Sequence, residues 1–145
     1  GNPLFENIVP PYSLAWEKDS GSPNVLVSGT LVYGYTVNSD GQTNVSTHLF
    51  ARNIEQGNIV WTVDLPGRVV WGLSIQDGIL VASANSPAAL FDDVLAFDAK
   101  NGIELWRSPH FSTLSSPIVY GNSIYLIDYS RMLHALNISN GTIRR

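Results

Sequence analysis

Cysteine is absent from the 145 residues, which excludes a disulfide framework, a thiolate nucleophile and a zinc–thiolate site. Charge is sparse: 14% of residues are charged, and Lys+Arg 8 against Asp+Glu 12 leaves a net charge of −4. With no basic surplus to meet phosphates, the chain is no candidate nucleic-acid binder. No apolar run approaches the roughly 20 residues that a membrane span needs. The hydrophobic share of 44% is too high for a disordered chain. The three histidines, His48, His110 and His134, share no i, i+4 ligand spacing, so no histidine metal site is expected. The serine-rich run from Ser112 to Ser116 lacks the Gly-x-Ser-x-Gly elbow of a nucleophile. Phosphate-cradling glycine loops and paired-carboxylate devices are missing too. No catalytic residue and no metal ligand is assigned.

What remains is a β composition. Short runs such as Val25-Leu26-Val27, Leu31-Val32-Tyr33, Ile79-Leu80-Val81 and Ser123–Ile127 are bounded by Gly, Asn, Asp and Ser. Such runs read as strands. The dipeptides Ser28-Gly29, Asp77-Gly78, Gly121-Asn122 and Asn140-Gly141 supply hairpin turns that need positive φ. The chain is expected to be all-β and antiparallel.

A repeat organises these strands. Trp16, Trp61 and Trp106 are spaced 45 residues apart. Counting back from Trp61, Trp106 and Arg145 reveals four more columns: Gly57, Gly102 and Gly141; Gln56, Asn101 and Asn140; Asn53, Asp98 and Asn137; Ala51, Ala96 and Ala135. The Asn or Asp can start a turn by bonding backbone ahead of it, and the Gly supplies positive φ where the hairpin closes. The Ala marks a place with room for little more than a methyl group. The Trp is a large plate suited to wedging between sheets. A period of about 45 residues holding four strands marks a β-propeller blade.

The predicted strands of the first copy are Asn24–Val27, Leu31–Tyr35, Thr47–Asn53 and Asn58–Trp61. Those of the second are Val69–Ile75, Ile79–Ser83, Asp93–Asp98 and Ile103–Trp106. In the third they are Leu114–Val119, Ile124–Asp128 and Met132–Ile138, with a fourth beginning at Thr142. Ser13–Trp16 reads as the last strand of a preceding blade. The expected division is an N-terminal arm over 1–12, whose leading Gly without Met is what tag removal leaves, then blades over about 17–61, 62–106 and 107–145. Three blades do not close a ring, so a piece of a longer propeller is favoured over a ring completed by further copies.

The stretch Val94-Leu95-Ala96-Phe97-Asp98-Ala99-Lys100-Asn101-Gly102-Ile103-Glu104-Leu105-Trp106 resembles the blade repeat of the quinoprotein dehydrogenases, which bind pyrroloquinoline quinone (PQQ). The same repeat builds non-catalytic PQQ-like propellers, including the outer-membrane assembly lipoprotein of the β-barrel machinery. The resemblance covers residues 13–145 and concerns residues that hold blades together. It implies a non-catalytic scaffold that binds protein or ligand, or alternatively a piece of a dehydrogenase using PQQ and calcium. It also implies an extracytoplasmic setting, and a partner that is either a protein or the remaining blades. In the enzymes, Glu, Asn and Asp hold calcium at the ring centre beside an Asp base. No such set is recognisable here.

Binding is expected on the face bearing the long links Asn38–Ser46, Thr62–Arg68, Ala84–Asp92 and Arg107–Thr113, since variable loops on a rigid scaffold carry function. The candidates there are Arg68, Trp71, Asp92, Asp93, His110 and Arg131. Trp71 stands outside the Trp column. Asp92-Asp93 reads as a solvated loop pair without the further oxygens that calcium needs. Asn44, Asn137 and Asn140 match the glycosylation pattern, but Asn137 and Asn140 are already explained as repeat turn positions.

Overall fold

The computed structural model describes residues 14–19, 21, 24–41, 44–87, 92–108, 113 and 115–145. His110, Ser13 and Leu114 lie outside them. The described residues are all-β, with eleven antiparallel strands in three sheets. In blade 1, β1 (Leu26–Ser28), β2 (Leu31–Ser39), β3 (Val45–Asn53) and β4 (Ile59–Pro66) lie in sequence order. Blade 2 repeats this with β5 (Val69–Gln76), β6 (Ile79–Asn85), β7 (Asp92–Asp98) and β8 (Glu104–Ser108). Blade 3 has β9 (Ile118–Tyr120), β10 (Ser123–Ile127) and β11 (Leu133–Asn137). A bridge between Leu136 and Ile143 starts its outer strand.

Several strand limits differ from the expectation. The β2–β3 hairpin extends to Ser39 paired with Val45, although Asn38, Ser39 and Ser46 are polar. The ladder supplies their backbone partners, and their side chains reach water at the tip. β4 likewise runs on to Pro66. β9 starts only at Ile118, because Pro117 has no N–H to donate. The Ser115 hydroxyl instead accepts from the Ile127 amide at 2.9 Å.

Between sheets, the repeat columns act together. The indole of Trp61 lies across Gly102, where a Cβ would come within 2.7 Å of the ring. Its Nε1 donates to the Ala99 carbonyl at 3.0 Å. Trp106 repeats this on Gly141, donating to Ile138 at 2.7 Å. Trp16 repeats it on Gly57, donating to Ile54 at 2.8 Å. Each Trp therefore seats on the hairpin of the next blade. The glycines have φ of 70°, 76° and 71°, and their amides all donate to the Asn or Asp column carbonyl at 2.8 Å. Positive φ and the indole plate each demand glycine. Ala51 faces Trp61 and Ala96 faces Trp106 across a ladder that bulges at the next residue pair. Residues 14–19 are not hydrogen-bonded as a strand, yet Trp16 occupies the last-strand position relative to blade 1.

Two apolar clusters fill the seams. Tyr33, Tyr35, Leu49 and Ala51 on the front of blade 1 meet Leu80, Ala82, Leu95 and Phe97 on the back of blade 2. Val81 and Val94 on the front of blade 2 meet Ile124, Leu126 and Leu136 of blade 3. The back of blade 1 is different. Arg52 stands where blades 2 and 3 carry Phe97 and Leu136, and its guanidinium stacks over Phe50 at 5.0 Å. His48 and Asp64 pair beside it.

Candidate functional site

Strand β5 forms the inner edge of blade 2, and its ladder slips one residue between Val70 and Gly72. Trp71 is the extra residue. A bulge takes its side chain out of the regular alternation of the strand, and the indole is half-buried between neighbouring blades. On one side it lines an open cleft of about 290 Å³ with Val69, Asn85, Thr113 and Tyr129. On the other it lines a narrower cleft of about 260 Å³ with Leu26, Tyr35, Leu73 and Ser116. Gly72 permits the second, since a Cβ there would lie 2.5 Å from the Ser116 hydroxyl. The first cleft offers two aromatic surfaces and one amide, a combination for stacking and a directed hydrogen bond.

The charged candidates mostly hold blades together. Asp92 and Asp93 open β7 and are buried, which corrects their placement in a solvated loop. The reason is pairing: their backbones face Asn85 and Ala84 across the ladder. Arg68 Nε donates to the Asp93 carboxylate at 2.7 Å, and Arg107 stands 3.7 Å from the same oxygen. Asp92 accepts the Thr113 amide at 3.0 Å, tying blade 2 to the link ahead of blade 3. Thr47 holds the corresponding position in blade 1, fourteen residues before Trp61 as Asp92 is before Trp106. Its hydroxyl donates to the Arg68 carbonyl at 2.9 Å and accepts the Val70 amide at 3.0 Å. Arg131 occupies the same place in blade 3, exposed, with φ 64° in the turn after β10.

That turn is organised by Asp128, whose carboxylate accepts the Met132 amide at 2.9 Å and pairs with His134 at 2.8 Å. The Met132 bond first, and His134 second, hold its pKa below the ordinary carboxylate value. The candidates therefore do not converge. Trp71 lines the cleft, Arg68 and Asp93 brace blade 2, Asp92 holds the amide of the cleft residue Thr113, and Arg131 shares the turn of Tyr129 without lining the cleft. Asn85, Thr113 and Tyr129 were missed as cleft residues, because only the bulge and the blade arrangement bring them to Trp71.

Carboxylates at the inner edge would have to hold calcium for the quinone of the dehydrogenases. Here Asp92 and Asp93 are committed to Thr113 and Arg68, and the described residues contain no group of three metal-ligating side chains. The described residues do not fit that cofactor.

A family model described as outer membrane protein assembly factor BamB matches residues 13–145. The chain belongs to this PQQ-like propeller family. The outer membrane protein assembly factor BamB of Shewanella oneidensis is 30% identical over 92 residues, covering 60% of this chain and 23% of that protein. The chain thus spans about a quarter of the length of this relative. A europium-containing methanol dehydrogenase superposes with TM-score 0.65 at 18% identity, covering 90% of this chain and 26% of that one. The computationally designed Ika4 protein superposes with TM-score 0.58 at 16% identity, covering 83% and 68%. These likenesses establish the PQQ-like propeller fold.

Proposed function

We propose that this BamB-like propeller segment is a non-catalytic scaffold that docks a protein partner in an extracytoplasmic compartment, with Trp71 as the anchor. Family membership supports a scaffold in outer-membrane protein assembly. The place of Trp71 at a bulge on the inner edge strand, where it lines an open cleft, carries the assignment of the surface. A large aromatic beside a small amide, on a rigid strand, has the composition of an interface anchor. Among the described residues no helix is long and apolar enough to cross a membrane.

A strand from a membrane β-barrel alternates apolar and polar side chains, and it fits a cleft lined by Trp71, Tyr129 and Asn85. The test is fluorescence anisotropy with a fluorescein-labelled peptide of about ten residues that alternates aromatic and polar side chains. Trp71→Ala should weaken binding by about tenfold or more, equal to about 1.4 kcal/mol. Truncating the half-buried indole should also lower the melting temperature by several degrees, so binding is compared well below both transitions, with Trp71→Phe as the milder second variant. Equal binding by the variant and the parent would refute the assignment.

A further inference from the structure

Two buried threonines border strand β5, and only one of them is satisfied. Thr47 and Thr113 are each 0% exposed. The Thr47 hydroxyl is used twice, by the Arg68 carbonyl and the Val70 amide. The Thr113 hydroxyl has no partner among the described residues. Its backbone is fixed, because Asp92 holds the amide and the residue pairs with Asp128. A buried hydroxyl left unpaired costs stability, so its retention needs a reason outside the free chain. Thr113 lines the cleft with Trp71, Asn85 and Tyr129. Trp71 shows the same lack. Trp16, Trp61 and Trp106 each donate Nε1 to a carbonyl, whereas Trp71 Nε1 has no acceptor among the described residues.

We infer that the cleft takes a tyrosyl side chain of the docked strand, with Thr113 as the residue that selects tyrosine over phenylalanine. The inference rests on the reading of this cleft as the docking site. Trp71 and Tyr129 supply flat aromatic surfaces, against which a ring packs best. The ring carries a hydroxyl, since Thr113 Oγ1 can both donate and accept and a phenol does the same. The occupant is uncharged. The Asp92 carboxylate is committed to the Thr113 amide, and its charge repels an anion. The phenol reaches Thr113 once Tyr129, 61% exposed and next in sequence to Asp128, swings aside. Side-chain changes of that kind are common on binding. The Trp71 N–H and the Asn85 amide remain for backbone groups of the docked strand.

The test compares two fluorescein-labelled peptides of about ten residues that alternate aromatic and polar side chains, one with tyrosine and one with phenylalanine at every aromatic position. The parent chain should bind the tyrosine peptide more tightly by about tenfold or more. Thr113→Val keeps the shape and removes the hydroxyl, so the tyrosine peptide should fall to the affinity of the phenylalanine peptide. The melting temperature of this variant should be unchanged or higher, because an unpaired buried polar group is lost. A fall of about 4 °C or more would overturn the inference, since the hydroxyl would then have a structural partner. A preference for tyrosine that survives Thr113→Val would overturn the role of Thr113. Equal affinity of the parent for both peptides, with binding still weakened by Trp71→Ala, would overturn this inference and leave the docking reading standing. Binding that ignores Trp71→Ala, or no binding of either peptide, would overturn both together.

Discussion

Gly102→Ala isolates the contact that joins one blade to the next. Gly102 and Gly78 have nearly the same φ, 76° and 77°. A Cβ on Gly78 meets nothing within 4 Å. A Cβ on Gly102 meets Trp61 Cε3 at 2.7 Å, Trp61 Cδ2 at 2.8 Å and Val63 Cγ2 at 3.1 Å. Left-handed backbone costs an alanine about 1–2 kcal/mol at either site. Forcing the indole off its seat adds about 1–3 kcal/mol of overpacking at Gly102 alone. The indole has little room to retreat, because its Nε1 bond to Ala99 fixes one edge and Tyr33 stands 6.1 Å away, centroid to centroid. Gly102→Ala should therefore melt about 2–12 °C below Gly78→Ala, at about 2–4 °C per kcal/mol for a chain of this size. Urea unfolding followed by circular dichroism should give the same difference with unchanged m. In a Trp61→Leu background most of the difference between the two alanine variants should vanish, leaving only what the Val63 contact adds. Equal destabilisation in the parent background would refute the claim that the plate, rather than the turn, requires this glycine.

Thr47→Val should destabilise by about 1–3 kcal/mol, because the Val70 amide and Arg68 carbonyl lose their shared partner inside the seam; Val70 amide exchange reports it directly. Arg68→Ala should cost about 1–3 kcal/mol by leaving buried Asp93, among the described residues, with the more distant Arg107, and the loss should shrink in an Asp93→Asn background. Asp128 has a folded pKa below its unfolded value, so its stabilisation is present above the ordinary carboxylate range and is lost as pH falls through the folded pKa. Acid titration should loosen the blade 3 turn first, and Asp128→Asn should remove that acid limb. Addition of PQQ with calcium should produce no shift in the quinone absorbance and no dye reduction, whereas either signal would favour the dehydrogenase alternative.

The column of three tryptophans exposed the architecture before any coordinate, because 45-residue spacing with a fixed turn ahead of Trp has one economical explanation. The Gly column was legible only as a turn. Its second role, as the seat for an indole, joins residues some 40 positions apart and needs the blades docked. Polarity misled at Asp92-Asp93, where buried carboxylates are matched by Arg68 from the link before β5 and by the Thr113 amide from the link before β9. It misled again at Asn38, Ser39 and Ser46, where the ladder sustains a strand that composition disfavours. Trp71 stood out by lying off the repeat, but the cleft around it depends on a one-residue slip that no local pattern reports.

The central claim is that each blade is fastened by an indole lying on the glycine of the next blade. In glycine, one α-proton points where a Cβ would be, so at Gly57, Gly102 and Gly141 it points into the face of Trp16, Trp61 and Trp106. Proton NMR of the assigned chain should show that α-proton shifted strongly upfield at all three sites by the ring current. At Gly29, Gly78 and Gly121, which have open space in that direction, the α-protons should resonate normally. Indistinguishable shifts in the two sets of glycines would contradict the account.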